Sequence, residues 1–141
     1  MATFRTFEDI EGWKLARELT REVYRVSSSG SFSKDFGLSN QIRRAAVSIM
    51  SNIAEGFDRD GNKEFINFLT IAKGSAAEVR AQLYVAVDLN YISAKEFETL
   101  SELTLNIGRV LAGLIKYLQS SDIKGPKFKE TVPNKKLETR N

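Results

Sequence analysis

The spacing of apolar residues constrains this chain more than any other feature. They recur at three- and four-residue steps in four successive runs, separated by clear breakers. That period belongs to amphipathic helices. In the first run, Ile10, Trp13, Ala16, Leu19, Val23 and Val26 predict a helix over 7–27, opened by Thr6 and Asp9 in a weak capping-box arrangement. Gly12 costs about 1 kcal/mol against Ala inside such a helix, which points to close packing near Trp13. Ser27-Ser28-Ser29-Gly30-Ser31 breaks the pattern, and a short link carrying Phe32 and Phe36 follows.

Ser39 is the expected N-cap of the second helix, whose stripe is Ile42, Ala46, Ile49, Ile53 and Phe57. After a polar turn over 58–62, a third helix is expected over 63–90. It carries Phe65, Phe68 or Leu69, Ala72, Ala76, Val79, Leu83, Ala86 and Val87. Ser93 and Glu96 form an S-x-x-E capping box, the strongest boundary signal in the chain. Phe97, Leu100, Leu103, Ile107, Leu111, Leu114 and Leu118 then make a fourth helix, ending near Ser120. Four helices on short loops pack against their sequence neighbours, so the fold class is all-α: an up-down-up-down antiparallel four-helix bundle over 1–121. Gly125, Pro126 and Pro133 end regular structure, and 122–141 is expected to be a disordered basic tail.

Composition removes several kinds of chemistry. Without Cys there is no disulfide or thiolate metal site. Without His the commonest general base and transition-metal ligand are missing. No apolar run approaches the ~18 residues of a membrane span, and no secretory leader is evident, so a cytoplasmic protein without membrane contact is expected. The net charge of +3 invites a nucleic-acid reading, but residues 122–141 hold six basic and three acidic residues and account for all of it. The 15 basic and 15 acidic residues of 1–121 balance, so a basic surface there requires charges to segregate.

The block 42–79 sets Arg43, Arg44, Asn52, Glu55, Ser75 and Glu78 among its apolar stripes. Asp58, Asp60, Asn62 and Glu64 alternate like a calcium loop, yet Lys63 and Leu69 occupy the positions that require Gly and Glu. Glu55 with Glu78 resembles half of a di-metal carboxylate centre, which the missing His cannot complete. No catalytic residue, cofactor or metal site is therefore assigned, and the chain is read as non-enzymatic. The favoured reading pairs Arg43 and Arg44 with Glu55 or Glu78, across the seam between helices two and three or across a subunit boundary, where such pairs set register. Arg43, Arg44, Arg59, Lys63 and Lys73 are the candidate contacts to nucleic-acid phosphates. In helix three, Phe65, Ile66, Phe68, Leu69, Ile71 and Ala72 cover an arc of about 220°, against ~100° for a one-sided helix. Either Phe32 and Phe36 cover the excess, or a second copy does through Phe65, Ile66 and Ile71.

The strings I-R-R-A-A-V-S-I-M-S-N-I-A-E-G-F (42–57) and E-F-I-N-F-L-T-I-A-K-G-S-A-A-E (64–78) carry a family resemblance, with Phe7-Glu8-Asp9-Ile10, Trp13 and Leu89-Asn90-Tyr91-Ile92. Over about 4–120 the chain resembles the bacterial four-helix bundle proteins named for reading frames in intervening sequences of 23S ribosomal RNA genes, also called S23 ribosomal proteins. The resemblance implies a left-handed bundle assembled as a homopentameric ring. It implies kinship with the accessory protein of diversity-generating retroelements, which partners a reverse transcriptase and binds nucleic acid. It implies no enzymatic activity, and Asn52, Glu55, Ser75 and Glu78 become a polar signature without an agreed job. Partners implied are further copies of the chain, RNA or DNA, or a nucleic-acid enzyme; the alternative is a structural or interaction module with no nucleic-acid contact. Met50 stands where the family often has Pro, which removes the reason to expect a kink in helix two.

Overall fold

The computed structural model describes residues 4–121, so the disorder expected of 122–141 lies outside the described residues. Helices α1 (Glu11–Ser27), α2 (Phe36–Asp58), α3 (Asn62–Asp88) and α4 (Ala94–Ser120) are joined by short connections, with 3-10 turns at Phe7–Asp9 and Gly30–Lys34. α2 packs on α3, α3 on α4, and α1 on both α2 and α4, which makes an antiparallel four-helix bundle. The expected stripes form its core: Leu19, Val23, Ile42, Ile49, Ile53, Leu69, Leu83, Ile107 and Leu111 are all fully buried. In α3 the core residue is Leu69, while Phe68 is only half-buried.

The helix ends explain where the boundaries fall. The backbone N–H groups of Arg5 and Thr6 donate to the Asp9 carboxylate at 2.9 and 3.2 Å, closing the first 3-10 turn. Ile10 is extended, so α1 begins at Glu11 rather than at residue 7. The cap of α2 is Asp35, and Ser39 lies buried one turn inside the helix. Asp35 prevails because its carboxylate accepts from the Leu38 N–H at 3.0 Å and from the Tyr91 hydroxyl at 2.8 Å. Those bonds, the Leu38 one foremost, hold the carboxyl below the ordinary aspartate range, and the same contact pushes the Tyr91 phenol up. Phe32 stacks on Tyr91 at 5.2 Å, so the link into α2 is fastened to the far end of α3.

α3 stops at Asp88, two residues short of the expected end at residue 90. Asn90 is left-handed (φ 60°), the Tyr91 N–H reaches the Ala86 carbonyl at 2.8 Å, and the Asn90 N–H reaches Val87 at 3.0 Å. That pair of bonds is a Schellman closure with Asn in place of the usual Gly. The Ser93–Glu96 capping box forms as expected, with both reciprocal bonds at 3.0 Å. α2 runs unbroken through Met50.

Two glycines mark close approaches. A Cβ on Gly12 would sit 2.7 Å from a Leu111 methyl, so the expected close packing is between α1 and α4. A Cβ on Gly56 would sit 2.6 Å from Phe68 Cβ and 3.1 Å from the Phe65 ring, which locks the end of α2 onto the start of α3.

This lock alters the account of α3's wide apolar arc. Phe65 is fully buried in the chain's own core, with its ring 6.0 Å from Phe57, and is unavailable to a second copy. Ile66 is half-buried against that core, and the Arg59 guanidinium covers the Phe68 ring at 4.9 Å. Phe32 is occupied on Tyr91 and Phe36 is 72% exposed, so neither covers the arc. Ile71 is left 52% exposed.

Candidate functional site

Polar residues within the apolar stripes place two hydrogen-bonded rungs on the seam between α2 and α3. In one, the hydroxyls of Ser48 and Ser75 meet at 3.0 Å, and Asn52 Nδ2 donates to the Ser48 carbonyl and hydroxyl at 2.8 and 3.0 Å. In the other, Gln82 Nε2 donates to Gln41 Oε1 at 3.2 Å and to Glu78 at 3.4 Å. The rungs lie seven residues apart on both helices, as two full turns of each require. A further step of seven puts Glu55 opposite Phe68, next to the Gly56–Phe68 contact.

This register separates the two carboxylates. Glu55 and Glu78 stand about 15 Å apart along the bundle axis at 1.5 Å per residue. Both are exposed, and among the described residues no group of three or more potential metal-ligating side chains forms. The expected pairing of Arg43 and Arg44 with Glu55 or Glu78 is not found. Arg43 turns to the other neighbour of α2, donating to Ser27 and Ser28 at 2.8 and 2.9 Å and lying over the Tyr24 ring at 4.6 Å. Arg44 is exposed and makes no ion pair among the described residues. Glu55 pairs instead with Arg59 at 2.7 Å, four residues on, and Arg59 also reaches Glu64 at 3.6 Å. The side-chain hydrogen bonds that cross this seam, Ser48–Ser75 and Gln41–Gln82, are therefore between neutral groups. Of the four signature residues, Asn52 and Ser75 come together through Ser48.

The five candidate phosphate contacts do not converge. Arg43 lies on the α1–α2 seam, Arg44 on the outside of α2, and Arg59 and Lys63 at the turn between α2 and α3. Lys73 lines a groove between α3 and α4. This groove has a volume of about 600 Å³. Lys73, Arg80 and Arg109 line it together with Gly74, Gly108 and Leu105, and none of its described lining residues carries a carboxylate. Arg80 Nε is buried without a hydrogen-bond partner among the described residues. Arg109 reaches Glu102, outside the lining, at 3.3 Å. Sequence reasoning missed Arg80 and Arg109. The available signal was the seven-residue step from Lys73 to Arg80 beside Gly74, facing Gly108-Arg109 on the next helix.

The described residues thus make four helices with two hydrogen-bonded rungs on the α2–α3 seam and a cation-lined groove between α3 and α4. A family model described as 23S rRNA-intervening sequence protein matches residues 8–113, from the 3-10 turn before α1 through most of α4. The chain belongs to this family. A solved crystal structure described as a protein of unknown function from the S23 ribosomal protein family, from Bacteroides thetaiotaomicron, is similar in fold. Its TM-score is 0.68 at 27% identity, over 74% of this chain and 98% of that one. No curated protein matches the chain. The match over 8–113 includes both rungs, the Gly56–Phe68 lock and the α3–α4 groove.

Proposed function

We propose that this member of the 23S rRNA-intervening sequence protein family is a non-enzymatic bundle that assembles with copies of itself, as a homopentameric ring, and binds RNA or DNA by electrostatic attraction. The observation that carries the reading is the state of its surface cations. Among the described residues only Arg25, Arg59 and Arg109 make ion pairs, which leaves Arg44, Lys63 and Lys73 exposed and free to meet phosphates. Assembly multiplies such sparse charges, because copies arranged around an axis repeat each cation and raise the effective concentration of contacts. The exposed Ile71 of α3 is the apolar surface the assembly would cover.

Retention of RNA and DNA on filters at rising salt tests the nucleic-acid part. Affinity should fall linearly on a log–log plot, with a slope reduced in Lys63→Gln and Lys73→Gln variants. No retention at about 50 mM salt, or a slope near zero, rejects it.

A further inference from the structure

The α3–α4 groove contains glycines that the bundle itself does not need. At Gly12 and Gly56 a side chain would collide with a neighbouring helix, whereas at Gly74 and Gly108 an added Cβ meets no atom within 4 Å. Glycine at a mid-helix position costs about 1 kcal/mol against Ala. Internal packing therefore gives no return for that cost at either position. What the two glycines do is keep a trough open between the helices, with Ala77 and Ala112 continuing its floor. Lys73, Arg80 and Arg109 edge this trough, and the buried Arg80 Nε has no acceptor among the described residues.

We propose that this groove docks an amphipathic helix of another protein, one with small apolar residues on its inner face and Glu or Asp along both flanks. Two packed helices with a floor of Gly and Ala let a third come close, because helix separation is set by the side chains at the contact. Three lining cations and no carboxylate select an acidic occupant. The chain's own 122–141 segment carries six basic and three acidic residues and is repelled by the same charges. Nucleic acid suits the trough less well, since no aromatic ring lines it to stack a base. This inference shares Lys73 with the nucleic-acid reading above, which rests also on Arg44 and Lys63 outside the groove.

The probe is a synthetic helical peptide of roughly 20 residues, about 30 Å long, with an Ala/Leu face and Glu flanks. A matched peptide carries Lys in place of Glu. Fluorescence anisotropy with the full chain should show saturable binding of the Glu peptide and none of the Lys peptide. Arg80→Glu should weaken binding about tenfold or more. Gly108→Leu should abolish binding while leaving the helical circular dichroism and oligomeric mass unchanged and raising the melting temperature, because it fills the trough and removes a helix glycine. Four results would overturn the proposal: no binding of the Glu peptide at millimolar concentration; equal binding by the Gly108→Leu chain; a change of oligomeric mass in that variant, which would make the groove a contact between copies; or loss of single-stranded RNA binding in both variants with the peptide unaffected.

Discussion

The glycines separate into two kinds that composition alone cannot distinguish. Gly56 has Phe68 Cβ 2.6 Å from where its own Cβ would be, and that atom is fixed to a helix backbone and cannot swing aside. Gly56→Ala should therefore cost about 1–3 kcal/mol in urea unfolding. Gly74→Ala, in open space, should instead stabilise by about 0.5–1 kcal/mol. Equal effects of the two substitutions would contradict the packing described. Asp35 makes a second residue-level prediction. Its folded pKa is depressed by the Leu38 N–H and the Tyr91 hydroxyl, so its contribution is present above the ordinary aspartate value and is lost as pH falls through the folded one. Tyr91→Phe removes the second of those bonds. The melting-temperature gap between wild type and Tyr91→Phe should be full at neutral pH and should shrink as the carboxyl protonates; a gap constant down to pH about 2 would show that Asp35 is not the partner that matters. The sequence offered Ser39 as the cap since Ser is a good capping residue. Asp35 is an equally good local cap, bonding the Leu38 N–H, and what decides for it is Tyr91, 56 residues away, which no local pattern reports.

At the scale of elements, three- and four-residue apolar steps sufficed to place all four helices, because each buries one face against two neighbours. The pairing between helices was less legible. Charges of opposite sign at Arg43, Arg44, Glu55 and Glu78 implied a charged seam, yet the antiparallel register puts those carboxylates about two turns of α2 and one of α3 from the Ser48–Ser75 contact. Arg43 instead found two hydroxyls and a ring on α1. Small polar side chains were the better guides, since Ser and Asn can enter a seam without the desolvation cost of an ion. Ser75→Ala should accordingly cost about 1 kcal/mol by removing the partner of Ser48 in a nearly buried site. Glu55→Gln should change stability by less than about 0.5 kcal/mol, because its bond to Arg59, just past the end of α2, is an exposed local pair. A double-mutant cycle on Ser48 and Ser75 measures the rung directly, and a coupling indistinguishable from zero would deny it a register role.

For the whole molecule, the proposed ring depends on how α3's apolar arc is divided between inside and outside. Its width announced more surface than one core face uses, and it could not say which residues faced out, because Phe65, Ile66 and Ile71 lie within two turns of one another. The division follows from Gly56: with no side chain there, α2 closes on α3 and draws Phe65 inward against Phe57. Ile71, nearly two turns further along α3, is left 52% exposed. The two positions should then respond in opposite ways. Phe65→Ala empties a core site and should cost about 3–5 kcal/mol, lowering the melting temperature whatever the state of assembly. Ile71→Lys places a charge on the solvent side of a single protomer, so it should leave the helical signal and the protomer's urea midpoint nearly unchanged. If the ring forms through this face, light scattering of the Ile71→Lys chain should fall to the 15.8 kDa of one protomer. A wild-type chain already at that mass removes the ring, and an Ile71→Lys chain that keeps the wild-type oligomeric mass moves the interface away from α3's outer arc.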